Sequence, residues 1–193
     1  AFYLLRDRYV ELSQKALKIS LMVATIFALA QLVIGHQSAD GVAENQPAKL
    51  ASFEGHFEPE APGDLYLIGW VNKETQEVKG IKWPGGLSFL VHWDAEEPVA
   101  GLNAFPEDER PGALNAIFQF YHLMVAIGLL LIAITLFGTL QWWRGKIFHH
   151  RWYLWVLVFA VILPQISNQV GWYAAEMGRQ PWVVFGHLKT SEA

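Results

Sequence analysis

Three long apolar runs separated by polar stretches set the pattern of the chain. From Ile19 to Gly35, seventeen residues carry no charge. Ala16, Leu17 and a snorkelling Lys18 extend the run toward the about 20 residues a bilayer crossing needs. The second run extends from Leu114 to Trp143 around LMVAIGLLLIAITLFGTL, and the third from Trp152 to Ala175 in WYLWVLVFAVILPQISNQVGWYAA. Each is flanked by Trp, Tyr or basic residues, the arrangement of helices that meet a membrane interface. The pattern predicts an all-α membrane protein, a transmembrane helix bundle with three spans and a long extracytoplasmic loop.

The division that follows begins with residues 1–18, the cytoplasmic end of a preceding helix and a connector. Spans at 19–35, 113–143 and 152–176 enclose an extracytoplasmic loop at 36–112 and a short cytoplasmic loop at 144–151, and 177–193 form an extracytoplasmic tail. Within the long loop, Asp64 to Trp93 holds alternating and β-branched runs, LYLIGWV, KGIKW and LSFLVHW, broken at Asn72-Lys73 and Pro84-Gly85-Gly86. A short hairpin is expected there. Tyr66, Trp70, Trp83, Phe89, Trp93 and Phe105 make the loop too aromatic for a disordered segment.

Charge sets the orientation. Arg6, Arg8, Lys15 and Lys18 precede the first span, and Arg144, Lys146 and Arg151 join the second to the third, against only Asp7 and Glu11. The 36–112 loop carries five Lys or Arg and fourteen Asp or Glu. Basic residues near span ends stay in the cytoplasm, so the acidic loop faces outward. The expected location is a bacterial or archaeal cytoplasmic (inner) membrane, crossed more than once. Composition agrees: 53% of residues are hydrophobic, 14% aromatic and only 17% charged, which is poor in charge for a soluble domain. The absence of cysteine excludes disulfides, Cys-based zinc sites and Fe–S clusters. No basic tract of the kind that binds nucleic acid is present. The chain starts at Ala1 with no signal-peptide pattern and reads as an internal piece of a longer protein.

Candidate chemistry sits in the second and third runs. Gln165, Asn168, Gln169, Trp172, Glu176 and Arg179 recur at spacings of three and four, along one helix face. A polar stripe in hydrocarbon packs against protein or cofactor, and Gln and Asn bonding across to neighbouring helices account for much of it. Glu176 near the outer interface calls for a defined partner, and Arg179 one turn on is in reach. In the second run Met124 shares a face with Gly128, where a flat macrocycle can approach the backbone, while His122 points about 200° away. A buried Met is ordinarily a gap-filler, and a lone interior His is ordinarily hydrogen-bonded.

Three strings carry a family resemblance. Gln46-Pro47-Ala48-Lys49-Leu50-Ala51-Ser52-Phe53-Glu54 resembles the Q-loop motif of subunit I of cytochrome bd quinol oxidases. Phe120-Tyr121-His122-Leu123-Met124-Val125-Ala126 resembles that family's haem-binding helix, and Gly171 to Trp182 its GRQPW signature. The order and spacing fit over essentially the whole chain, which corresponds to less than half of the family subunit.

The resemblance implies an enzyme part that oxidises membrane quinol at the outer face and passes electrons through a low-spin b haem. A di-haem site then reduces O2 to water. It implies Met124 as ligand of the low-spin haem b and Glu176 as acidic ligand of a high-spin haem. Lys49 and Glu54 would serve quinol oxidation, with Gln46 as companion, and Trp172 and Arg179 would lie beside the high-spin haems. These would be a high-spin haem b and either haem d or a further haem b. Where the family commonly has Arg two residues before the methionine, this chain has His122. Implied partners are the lipid bilayer, quinol, O2, subunit II and the remainder of subunit I. The competing readings are a membrane transporter lined by the polar stripe and a structural membrane subunit without cofactor.

Overall fold

The computed structural model describes residues 1–59 and 61–193. Helices dominate it, in the order α1 (Phe2–Leu5), α2 (Val10–Asn45), α3 (Pro47–Glu54), α4 (Gly86–His92), α5 (Leu114–Trp143), α6 (Arg151–Phe159) and α7 (Leu163–Gly178). Strands β1 (Leu65–Asn72) and β2 (Glu77–Trp83) lie between α3 and α4, and β3 (Trp182–Val184) and β4 (Leu188–Lys189) close the chain. Among the described residues, three stretches are long and apolar enough to cross a membrane: α2, α5, and α6 with α7 over Arg151–Gly178. The fold class is the expected one. The helix of the first run continues well beyond its uncharged centre, and the third is interrupted. Pro164 has no N–H to offer the carbonyl of Ala160 and its ring collides with it, so residues Ala160–Ile162 wind as a 3-10 turn between α6 and α7.

The chain forms two compact units. One comprises residues 1–35 and 124–168. Its helices meet through small and polar side chains, as membrane helices do. Thr25 Oγ1 donates to Leu21 O at 2.8 Å and pairs with Thr139 Oγ1 at 2.8 Å. Tyr153, fully buried, donates its hydroxyl to Ile134 O at 2.8 Å. Gly138 makes that approach possible, because a Cβ there would stand 2.0 Å from the Tyr153 oxygen. Leu21, Ile147 and Tyr153 form the core, with Leu4, Leu5 and Leu154 as a second cluster.

The other unit comprises residues 36–123 and 169–193. The expected hairpin is present: β1 and β2 pair antiparallel, Ile68 opposite Ile81 and Asn72 opposite Glu77, with an irregularity between Tyr66 and Ile68. Asn72 closes the turn by accepting from the Glu74 and Thr75 amides, the usual Asx-turn chemistry. The third run, LSFLVHW, differs from expectation: it is helix α4, not strand. Gly85, at φ 68°, turns the backbone into it. Leu87 and Val91, four residues apart, then share the face that packs on Leu50 and Val99. The larger core holds Ala51, Phe57, Val71, Leu102, Leu114 and Phe118.

Candidate functional site

Helix α3 builds the site. Pro47 opens it, Gln46 stands at its N-terminus, and Gly55 ends it in the left-handed conformation at φ 65°. Glu54 and Lys49 are five residues apart, so they leave the helix about 140° from each other. The structure sends them to two different places. Phe53 lies between those places: its ring stacks on Tyr121 with centroids 4.6 Å apart, and Lys49 Nζ stands 5.8 Å from its centroid.

Glu54 turns inward. It is 4% exposed, and its Oε2 is buried with no hydrogen-bond partner. Burial pushes its pKa up to about 8, and hydrogen bonding from the Tyr121 hydroxyl offsets part of that shift. His122 Nε2 lies 3.8 Å from Oε2. Both ring nitrogens of His122 face backbone carbonyls, Nδ1 at 2.9 Å from Phe118 O and Nε2 at 2.6 Å from Tyr66 O. A neutral ring donates to one of these and an imidazolium to both. His122 therefore ties β1 to α5 as well as bordering Glu54.

Lys49 turns toward the end of α7. There Arg179 donates from Nε and Nη2 to one oxygen of Glu176, Oε2, at 2.8 and 2.7 Å. The partner that Glu176 required is thus Arg179. Burial lowers the Lys49 pKa; Glu176 opposes the shift and Arg179 adds to it. Gly178 admits this packing, since a Cβ there would meet Phe53 at 2.9 Å and Lys49 at 3.3 Å. Gln46, Lys49, Arg179 and Trp182 line one small pocket, and the Trp182 indole nitrogen is buried without a partner. Trp172, one turn before Glu176, is more than half exposed.

Met124 belongs to the other unit. Its carbonyl accepts from Ser167 Oγ at 3.2 Å. A Cβ added at Gly128, one turn on, would meet nothing within 4 Å. Sequence reasoning did not single out Tyr121 or Trp182, although both lie inside the recognised strings. A phenol or indole next to titratable residues was their only signal.

The donor set fits haem. Among the described residues no three His, Asp or Glu converge to hold a bare metal ion. A porphyrin brings its own four equatorial nitrogens and asks the protein only for axial ligands and space. A thioether such as Met124 and a carboxylate such as Glu176 are side chains of the kind that can supply such ligands.

The fold and the site define a helical protein with three candidate membrane spans, a buried carboxyl at the end of α3 and an ion-paired carboxylate near the end of α7. Comparison with known proteins narrows it: the profile of cytochrome bd terminal oxidase subunit I matches residues 1–193, and the chain belongs to that family. A candidate cytochrome bd menaquinol oxidase subunit I of Bacillus subtilis (strain 168) is 36% identical over 97% of this chain. The cytochrome bd-II ubiquinol oxidase subunit 1 of Escherichia coli (strain K12) is 26% identical over 100% of it. The bd oxidase structure from Geobacillus thermodenitrificans superposes with a TM-score of 0.85 at 36% identity, over 99% of this chain and 44% of that one. The chain spans 42% and 50% of the length of those two curated relatives.

Proposed function

We propose that this chain is the quinol-side portion of a bd-type terminal oxidase subunit I, with Glu54 as the group that takes a proton from membrane quinol. The observation that carries the reading is Glu54 itself: a carboxyl buried beside Tyr121 and His122, one oxygen unpartnered, at the end of the helix that also presents Lys49. A base must lie within hydrogen-bond reach of the proton it abstracts, and its pKa must lie near the working pH. Glu54 meets the second condition, and its free oxygen supports the first. Lys49, with Gln46 and Arg179 at hand, orients the quinol oxygen from the polar side.

Met124 would hold the iron of a low-spin b haem through its thioether. Glu176, whose Oε2 is held by Arg179, would hold a high-spin haem, with Trp172 beside that site. When bound, the haems (low-spin b, high-spin b, and d or a further b) supply one-electron acceptance from quinol and reduction of O2 to water. His122 occupies the position where the family commonly has Arg and lends its charge, when protonated, to the Glu54 neighbourhood. The loop and the tail face outward and the 144–151 connection the cytoplasm, on the charge bias. Subunit II, the rest of subunit I and lipid surround the three spans in a bacterial cytoplasmic membrane.

The test is Glu54→Gln in the complete oxidase. The expected result is loss of quinol oxidation with the low-spin haem spectrum intact, and a variant that oxidises quinol like the parent refutes the role. Met124→Leu is expected to abolish the normal low-spin haem signal in a reduced-minus-oxidised spectrum. An unchanged spectrum removes Met124 as that ligand.

A further inference from the structure

The β1–β2 hairpin has two faces, and the fold uses one of them. Val71 and Val78 pack into the core with Phe118, and Gly69 turns the same way. The alternate positions turn away: Ile68 and Trp70 on β1, opposite Ile81 and Lys79 on β2, with Trp83 two residues further. Ile68, Trp70 and Ile81 are 70%, 65% and 65% exposed. A strand face this apolar, left open, marks an interaction surface. The patch continues onto α4 as an aromatic ridge. Trp83 and Phe89 have centroids 6.4 Å apart, Phe89 and Trp93 5.6 Å, and Trp93 stands edge-on at 5.3 Å from His36.

Polarity along this face is graded. From the turn to the base, the outward positions of β2 read Glu77, Lys79, Ile81, Trp83. Two long helices supply an independent depth scale, and the gradient runs with it. The turn end of β1 is pinned high on α5, where the Val71 amide donates to Asn115 Oδ1 at 3.0 Å. Next, Gln119 donates to Gly69 O at 2.7 Å, and at the base His122 meets Tyr66 O. His122 is the last polar residue before the apolar run that opens at Leu123. The second marker is His36, under the aromatic ridge, which directly follows the uncharged run ending at Gly35. The apolar end of the hairpin therefore lies level with the border where two membrane-crossing helices turn from polar to apolar, and its charged turn lies on the aqueous side.

We infer that the outward face of the hairpin, together with the α4 aromatic ridge, is a lipid-docking surface in the headgroup zone of the loop-side leaflet. Indole rings with one polar N–H settle at that depth. Lys79 can lay its stem along Trp70 and reach a lipid phosphate. A protein partner would match the shape of the patch but gives no reason for polarity graded along the axis of α5. The inference rests on α2 and α5 being membrane spans and not on the redox roles above, so either can fail alone.

The test uses the complete oxidase in phosphatidylethanolamine–phosphatidylglycerol proteoliposomes. Single cysteines are introduced as Ile68→Cys, Ile81→Cys and, at the turn, Thr75→Cys, in a background without other cysteines, and labelled with an environment-sensitive fluorophore. The haem spectrum of each variant confirms assembly, and the two base positions serve as duplicates. Labels at 68 and 81 are expected to lose most of their emission to a nitroxide lipid carrying its spin label near the headgroup, and little to aqueous iodide. The label at 75 is expected to show the reverse. Quenching at 68 and 81 by iodide alone makes the face water-exposed, and protection from both quenchers means that protein covers it. Either result overturns the inference.

Discussion

Glu54 holds its proton because of where it is buried, and its chemistry follows from that. Its ordinary pKa of 4.5 is pushed up to about 8 by loss of solvent, more than the Tyr121 hydroxyl recovers. The form that accepts a quinol proton is the carboxylate, which appears only as pH rises through about 8. In the complete oxidase, steady-state quinol oxidation should therefore increase across that range. Glu54→Gln, which never ionises, should lose that limb of the pH profile while keeping the low-spin haem spectrum. Stability has the opposite dependence. The unfolded carboxyl ionises from about 4.5 and the folded one near 8, so this residue's contribution is full below the lower value and is lost as pH climbs to the upper one. A thermal-unfolding series over that window should decline in the parent and flatten in Glu54→Gln. The candidate residues themselves were legible in the sequence. The environment of Glu54 was not, because Tyr121 and His122 are remote in sequence and reach it only through packing.

At the scale of elements, glycine and proline decide where helices end and meet. Gly55 closes α3 at φ 65°, and a Cβ there would stand 2.8 Å from a Val78 methyl and 2.9 Å from one of Val71. Gly55→Ala should cost about 1–2 kcal/mol for the left-handed backbone alone, and more for the contact with the hairpin. A drop in thermal stability together with weakened quinol oxidation would show that α3 had shifted. Gly138→Ala drives a methyl against the Tyr153 oxygen and threatens its hydrogen bond to Ile134. The expected loss is roughly 1–3 kcal/mol, read as a lower denaturation temperature with no change in the pH profile. The apolar helices were plain from composition, since length and lack of charge suffice to define them. LSFLVHW was not: a seven-residue apolar run fits a strand or a helix equally well until its neighbours choose. Leu50 and Val99 accept a face made by Leu87 and Val91 at helical spacing, and the helix won. The β3–β4 pair in the tail is shorter still. It depends on Gly186 at φ 72° and on a tether from Lys189 Nζ to Asp108 at 2.7 Å, a contact distant in sequence.

For the whole molecule, the decisive fact is extent. The chain spans about half or less of the relatives it matches, and the apolar faces of its three candidate spans are largely open, with Phe27, Phe159 and Val161 well exposed. Such faces need lipid or further helices against them. The 193-residue chain expressed by itself should show no quinol-dependent oxygen uptake, and uptake by the isolated chain would contradict the proposed division of labour. Hydropathy, aromatic belts and the three motif strings are properties of covalent order, and they sufficed for the fold class, the number of spans and the family. Tertiary structure alone decided that Lys49 and Glu54, five residues apart on one helix, serve different neighbourhoods. It also decided that the hairpin lies against α5 with an apolar face outward. Those outcomes depend on burial and on contacts between residues far apart in the chain, and neither is encoded in any one segment.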